Sequence, residues 1–231
     1  MRRFIGPSIA LVLVILYPLV FTTPFQQRLG ALILLYAIAA SAWNIIGGYA
    51  GQVSVGHVVF FGCGAYASMA AYSHFGLPPL VGIPIGIVAA VLIAAVIGVP
   101  TLRLSGHYFS MATIAVAEDA TAAQLMGIRP DSMQAIAWAI AAGATGLAGA
   151  LIATFFYVAP TVGETLGIVA FVTVSLGGFG SVPGALVAGL LIGVIESMSA
   201  YLIGAVYKDI VVYTLFLGFL WFRPQGLMGK L

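Results

Sequence analysis

Residues 44–66 read Asn-Ile-Ile-Gly-Gly-Tyr-Ala-Gly-Gln-Val-Ser-Val-Gly-His-Val-Val-Phe-Phe-Gly-Cys-Gly-Ala-Tyr. Two amides, a hydroxyl and an imidazole (Asn44, Gln52, Ser54 and His57) lie among six glycines, with long apolar runs on both sides. Backbone this loose is tolerated at membrane depth only where protein or a water-lined cavity satisfies it. Two readings of 47–56 stand side by side. One is a broken helix that exposes amides to a zwitterionic substrate. The other is a tight cytoplasmic turn between two spans. His57 opens the next apolar run and reads either as a pathway residue or as a hydrogen-bonded interface residue. His74 and His107 offer no metal spacing with it, and Cys63 is the single cysteine, so no metal site and no internal disulfide are expected.

Glu196 is the second chemical feature. It is the one acid well inside a long apolar run. Intramembrane acids are costly and face a bundle interior or a cavity. A proton-coupling site and a structural hydrogen bond to a neighbouring helix are both open readings. No second buried charge is expected beside it, because Lys208 falls in a break between apolar runs.

The elements that must carry these residues are membrane helices. The chain has 231 residues, is 62% hydrophobic and is only 6% charged, against about 25% for soluble domains. So few charges cannot cover a globule, and the apolar surface must face a lipid bilayer. The net charge of +2 gives no reason to expect nucleic acid. The predicted fold class is all-α: a polytopic transmembrane helical bundle, with about seven to nine membrane segments including short or re-entrant ones.

Runs long enough to cross appear at about 4–21, 29–46, 57–73, 80–99, 133–157 and 183–205, and shorter ones at 104–117, 165–176 and 209–222. Breaks are expected at 22–28, 73–79, 100–105, 118–132, 160–164 and 207–209. The first run follows Met1-Arg2-Arg3 and reads as an uncleaved span, since no small-residue cleavage site follows it. With both termini placed in the cytoplasm, Arg2, Arg3, Arg103, Arg129, Arg223 and Lys230 lie inside, and Arg28 and Lys208 outside. That bias fits the positive-inside rule, provided 104–117 does not cross completely.

Small residues mark packing faces. Ser181, Ala185, Gly189, Gly193 and Ser197 recur every fourth residue, and Gly82 and Gly86 repeat that spacing. Such ridges let helix backbones approach closely. The loop 118–132 reads as a short cytoplasmic helix. Glu118 and Asp119 suit its N-terminus, Gly127 its left-handed end, and Asp131 or Ser132 caps the next helix. Its small side chains, Ala122 and Ala123 among them, suit docking on another protein. The only lysines, Lys208 and Lys230, fit no phosphate-binding Gly-x-x-x-x-Gly-Lys-Ser/Thr loop, so no ATPase or other enzyme activity is expected.

Asn44 to Tyr66, with Gly48-Tyr-Ala-Gly-Gln-Val-Ser-Val-Gly-His57 and Phe60-Phe-Gly-Cys-Gly-Ala-Tyr66, resembles the signature of branched-chain amino acid ABC transporter permeases of the LivM type. Leu102-Arg-Leu-Ser-Gly-His-Tyr-Phe-Ser-Met-Ala-Thr113 resembles the next block of that subunit, and Ala122-Ala-Gln-Leu-Met-Gly-Ile128 its coupling loop. Leu147-Ala-Gly-Ala-Leu151, Gly177-Gly-Phe-Gly-Ser-Val-Pro-Gly184 and Tyr207-Lys-Asp-Ile-Val211 are similar to LivH-type and LivM-type subunits alike. One departure stands out. Family members carry further spans and an arginine-rich stretch between the second block and the coupling loop, whereas here Glu118 joins the two directly. This suggests an internal deletion near 114–119.

The resemblance implies an inner-membrane permease of an ABC importer for branched-chain or related amino acids, with no cofactor. Its implied partners are a paired permease subunit, two cytoplasmic ABC ATPases and a periplasmic substrate-binding protein. It implies one permease domain over 1–231, with N-terminal helices at 1–117, a coupling loop at 118–132 and C-terminal helices at 133–231. Glu118, Ala122, Ala123, Gly127 and Ile128 would contact the ATPase, and Gln52, Ser54 and His57 would line the substrate route. A urea or short-amide permease of the same family, a degenerate non-transporting remnant or scaffold, and a stand-alone carrier using Glu196 are the rival readings.

Overall fold

The computed structural model describes residues 16–49, 56–104, 130–156, 158–159 and 162–229. Gln52, Ser54, the run at 105–117 and the coupling residues Glu118, Ala122, Ala123, Gly127 and Ile128 lie outside them. The described residues form helices and no strand: α1 Pro24–Asn44, α2 His57–Phe75, α3 Pro79–Leu104, α4 Pro130–Phe155, α5 Val162–Gly177, α6 Val182–Leu202 and α7 Lys208–Phe222. A π-helical turn, Ile45–Tyr49, extends α1. Four stretches are long and apolar enough to cross a bilayer: Pro24–Gly48, Pro79–Gly98, Ala135–Phe155 and Val182–Leu202. The all-α membrane bundle expected from composition is therefore the fold observed.

Several boundaries differ from the sequence reading, and proline explains most of them. Proline is favoured at the first helical positions, where its missing N–H would have no partner in any case. Pro24 starts α1 behind Thr23, whose hydroxyl oxygen accepts the Gln26 N–H at 3.4 Å. The expected break at 22–28 thus shrinks to residues 21–23. Pro130 likewise opens α4, so Asp131 and Ser132 lie inside its first turn rather than capping it. Pro183 sits in the first turn of α6, where the Ser181 Oγ accepts the Gly184 N–H at 3.1 Å. Helix α3 runs through Pro100 to Leu104, across another expected break; membrane helices accommodate an interior proline by local adjustment.

The bundle interleaves the two parts of the chain. Helix α4 packs on α2 and α3, α1 on α6, and α5 on α6. Close backbone approach makes this possible. Gly149 of α4 lies against the Phe61 carbonyl of α2, and Gly64 against Gly146. Gly86 of α3 faces the Gly64 carbonyl and Ala150, and Gly82 faces Ser68. On α6, Gly189 rests on Ala37 and Gly193 on Ile33, while the fully buried Ala185 meets Gly177 of α5.

The core runs along this α1–α6 contact through Leu35, Tyr36, Trp43, Val169, Val174 and Ile192. The outward faces are apolar too: Leu80, Val88, Leu92 and Val96 of α3 and Leu217, Trp221 and Phe222 of α7 are all exposed. Apolar surface on that scale belongs against lipid or another membrane subunit rather than water.

Candidate functional site

Polar groups gather at two places, at opposite ends of the antiparallel α1–α6 pair. Phe25 of α1 meets Tyr201 of α6 at one end, with ring centroids 5.1 Å apart. Asn44 meets the turn before α6 at the other.

At the second end, α1 passes from α-helical to π-helical winding just after Asn44. Such π turns are rare and often accompany functional sites. Asn44 is fully buried, and its Oδ1 accepts the Gly180 N–H at 2.9 Å. Its Nδ2 is also buried and has no hydrogen-bond partner among the described residues. Gly180 takes φ +82° and Gly178 φ +92°, values that glycine adopts without strain. These two residues turn the chain so that the Gly180 amide points back at Asn44.

Gly48, in the π turn, packs against both the Asn44 Oδ1 and the Gly180 backbone, where any side chain would collide. The segment after α7 supports the turn from outside: the Leu227 N–H donates to the Leu176 carbonyl at 2.7 Å and the Met228 N–H to the Gly177 carbonyl at 3.1 Å.

His57, at the start of α2, is fully buried near the same end. Its ring lies 5.0 Å from Trp43, 5.5 Å from Phe60 and 6.2 Å from Trp138. Trp43 directly precedes Asn44 in α1, so His57 packs on the same end of that helix through Trp43. Of the pathway residues expected from sequence, His57 is placed in this aromatic cluster, and Gln52 and Ser54 lie outside the described residues. Asn44 and Gly180 were not singled out as site residues by sequence reasoning. The available signal was an asparagine at the end of an apolar run, where an amide is expensive to bury without partners.

At the other end, Glu196 is 4% exposed and forms an ion pair with Lys208, the first residue of α7. This corrects the expectation of no second charge nearby. The Lys208 Nζ also lies 3.7 Å from the Asp209 carboxylate. Tyr36 of α1 faces the Glu196 carboxylate, and Tyr213 of α7 stands within range of Asp209, Glu196 and Lys208. Glu196 Oε2, Asp209 Oδ1 and Ser197 Oγ are buried without a hydrogen-bond partner among the described residues. Sequence reasoning missed the pair because the hairpin between α6 and α7 folds Lys208 back onto the preceding helix. Helix α7 has 15 residues, about 22 Å of rise, short of the ~30 Å hydrocarbon core.

An apolar cavity of about 250 Å³ opens between α1 and α4, lined by residues such as Leu32, Leu35, Ile38, Ile152 and Phe155. With no polar lining it cannot orient a charged or zwitterionic solute, and none of the polar residues above borders it.

Residues 28–117 and 111–220 match the family described as branched-chain amino acid transport system / permease component. The two matched pieces meet at 111–117, next to the junction at Glu118. Among curated proteins, the chain is 38% identical over 131 residues to the high-affinity branched-chain amino acid transport system permease protein BraD of Pseudomonas aeruginosa, covering 56% of this chain and 43% of that protein. It is 38% identical over 117 residues to the corresponding LivH protein of Escherichia coli, 50% of this chain and 38% of that one. It is 29% identical over 128 residues to the LivM protein of the same organism, 50% of this chain and 30% of that one. The matched stretches thus span less than half the length of these relatives. No solved structure matches the chain. The matches cover both the π turn after Asn44 and the helix that carries Glu196, and the chain belongs to the branched-chain amino acid transport system / permease component family.

Proposed function

We propose that this chain is a permease subunit of an ABC importer in the bacterial inner membrane, and that it carries branched-chain or related amino acids. The observation that supports this most directly is the pair of family matches, which together run from α1 into α7. The relatives' names supply the substrate class. In this reading the chain is one permease domain with both termini in the cytoplasm. A second permease subunit completes the pathway, and a periplasmic binding protein delivers the solute. Two separate ATPases dock on the segment around Glu118, Ala122, Ala123, Gly127 and Ile128. Closure of the ATPases would move α3 and α4, which flank that segment, and through them α1 and α2.

The test is reconstitution. The chain, with a companion permease, ATPase and binding protein, is assembled in proteoliposomes and assayed for ATP-dependent uptake of leucine and of urea. Leucine uptake that needs all four components is the expected result. Uptake of urea alone moves the substrate class to short amides. A complex that assembles and takes up neither solute removes the transport reading. The second reading, a non-transporting remnant, draws on the matches meeting at 111–117. It predicts that ATPase and binding protein fail to co-purify with the chain.

A further inference from the structure

We propose that Asn44 is a substrate-binding residue, whose Nδ2–H donor receives the carboxylate of an α-amino acid as it passes the inner end of the bundle. This rests on the transport reading above and assigns a residue to it.

The argument begins from an unbalanced amide. Asn44 is fully buried, and its two polar atoms are treated differently. Oδ1 is held by the Gly180 N–H at 2.9 Å, which fixes the plane of the side chain. Nδ2, fixed by the same bond, has no partner among the described residues. More than nine in ten buried polar groups in proteins find a partner. Leaving one unpaired is unfavourable. The bond from the Gly180 N–H accounts for the Oδ1 side of the amide; it does not account for the Nδ2 side. A donor oriented by its own acceptor atom and left open is arranged for an oxygen that arrives from elsewhere.

The surroundings narrow the ligand. The groups shown against the Asn44 amide are the backbones of Gly48 and Gly180, and the rings of Trp43, His57, Phe60 and Trp138 pack together at the same end of the bundle. A single neutral donor suits a carboxylate attached to an apolar body. That combination permits binding weak enough for release. The Gly48–Gly180 contact packs on the Oδ1 side of the amide. It is made by two residues without side chains, in a π turn and a left-handed turn, which holds the amide plane fixed.

Asn44 is the only asparagine in the chain, which permits a direct test. The permease is labelled with 15N-asparagine in a deuterated background and assembled with unlabelled partners in nanodiscs. It then yields one side-chain NH2 pair. l-Leucine is titrated into the resting complex and into the ATP-locked complex. The expected result is a saturable shift of one of the two amide protons in one of these states, not reproduced by leucinol, which lacks the carboxylate. A resonance that leucine leaves unmoved in both states, in a complex that takes up leucine, overturns the inference and leaves the transport reading intact. A leucine-dependent shift in a complex that transports nothing keeps the binding residue and removes the transport reading.

A variant gives a second readout. Asn44→Asp keeps an acceptor for Gly180 and exchanges the donor for a carboxylate that repels the substrate's own. Because a buried unpaired carboxylate also destabilises, its melting temperature is measured alongside and uptake is compared at equal amounts of folded complex. The variant is expected to raise the KM for uptake at least about tenfold, the loss of one hydrogen bond to a charged group, with kcat little changed. An unchanged KM contradicts the assignment.

Discussion

The two ends of the α1–α6 pair solve the same problem in opposite ways. Both bury a polar side chain, Glu196 at one and Asn44 at the other. At the Glu196 end the chain supplies a counter-charge: the Glu196 carboxylate of α6 pairs with the Lys208 ammonium of α7, Asp209 stands beside that ammonium, and Tyr36 of α1 faces the carboxylate. At the Asn44 end the groups are neutral, one hydrogen bond is made, and one donor is left over. A charge buried in a membrane has to be paired before the fold is stable, and Lys208 supplies that pair for Glu196, although Glu196 Oε2, Asp209 Oδ1 and Ser197 Oγ keep no hydrogen-bond partner among the described residues. A neutral amide needs no counter-charge, so it is the end proposed to receive a solute. The difference teaches that one polar cluster is held by charge pairing within the chain and the other by a single neutral hydrogen bond.

The largest way to break this comparison is Gly48→Val. The added side chain would meet the Gly180 backbone and the Asn44 Oδ1, neither of which can rotate away. Overpacking of this kind costs about 3 kcal/mol, and the expected outcome is loss of both uptake and thermal stability, read from activity and the melting temperature in detergent. Glu196→Ala comes next. It leaves a part-exposed Lys208 with only Asp209 beside it, a loss of about 2 kcal/mol. Adding Lys208→Met should recover part of that stability, because the ammonium goes with its main partner and the Asp209 carboxylate that remains is part-exposed. Failure of the double variant to recover would mean that the cluster does more than neutralise itself.

A smaller effect separates the ends by kind rather than size. Asn44→Ala should cost about 1–2 kcal/mol through loss of the Gly180 bond, while uptake falls at least about tenfold. The smallest effect is expected from Ser197→Ala. The Ser197 Oγ is buried beside Glu196 without a partner among the described residues, so its removal should change stability by less than about 0.5 kcal/mol. A large loss there would show that the ion pair relies on the hydroxyl.

Much of the architecture is readable in the chain. Composition alone excludes a soluble globule, and small-residue spacing marks the contacts where α6 meets α1 and α3 meets α2. Helix starts were harder, because Pro24 and Pro130 look like breaks when read as punctuation and act as first helical residues, Pro24 behind the Thr23 cap. The Glu196–Lys208 pair was not legible for a different reason. The two residues lie on either side of a hairpin, and hydropathy assigns Lys208 to the connection because it averages over neighbours. Periodicity carries no information on how far the next helix folds back.

The Asn44 end was half legible. Its glycines and amides are visible in the sequence, which points to Gln52, Ser54 and His57 as the route. The orientation of Asn44 is set by Gly180, 136 residues away in sequence, which no local pattern encodes.

The most direct test of the account compares the two ends in one assay. Asn44→Asp and the double variant Glu196→Gln with Lys208→Met are each assembled with partner subunits in proteoliposomes, and initial rates of leucine uptake are measured at equal amounts of folded complex. The account predicts that the double variant keeps uptake within about twofold of the unaltered complex, while Asn44→Asp loses it at least about tenfold at low leucine. Uptake retained in Asn44→Asp and lost in the double variant would place the functional end of the bundle at Glu196 and contradict the account.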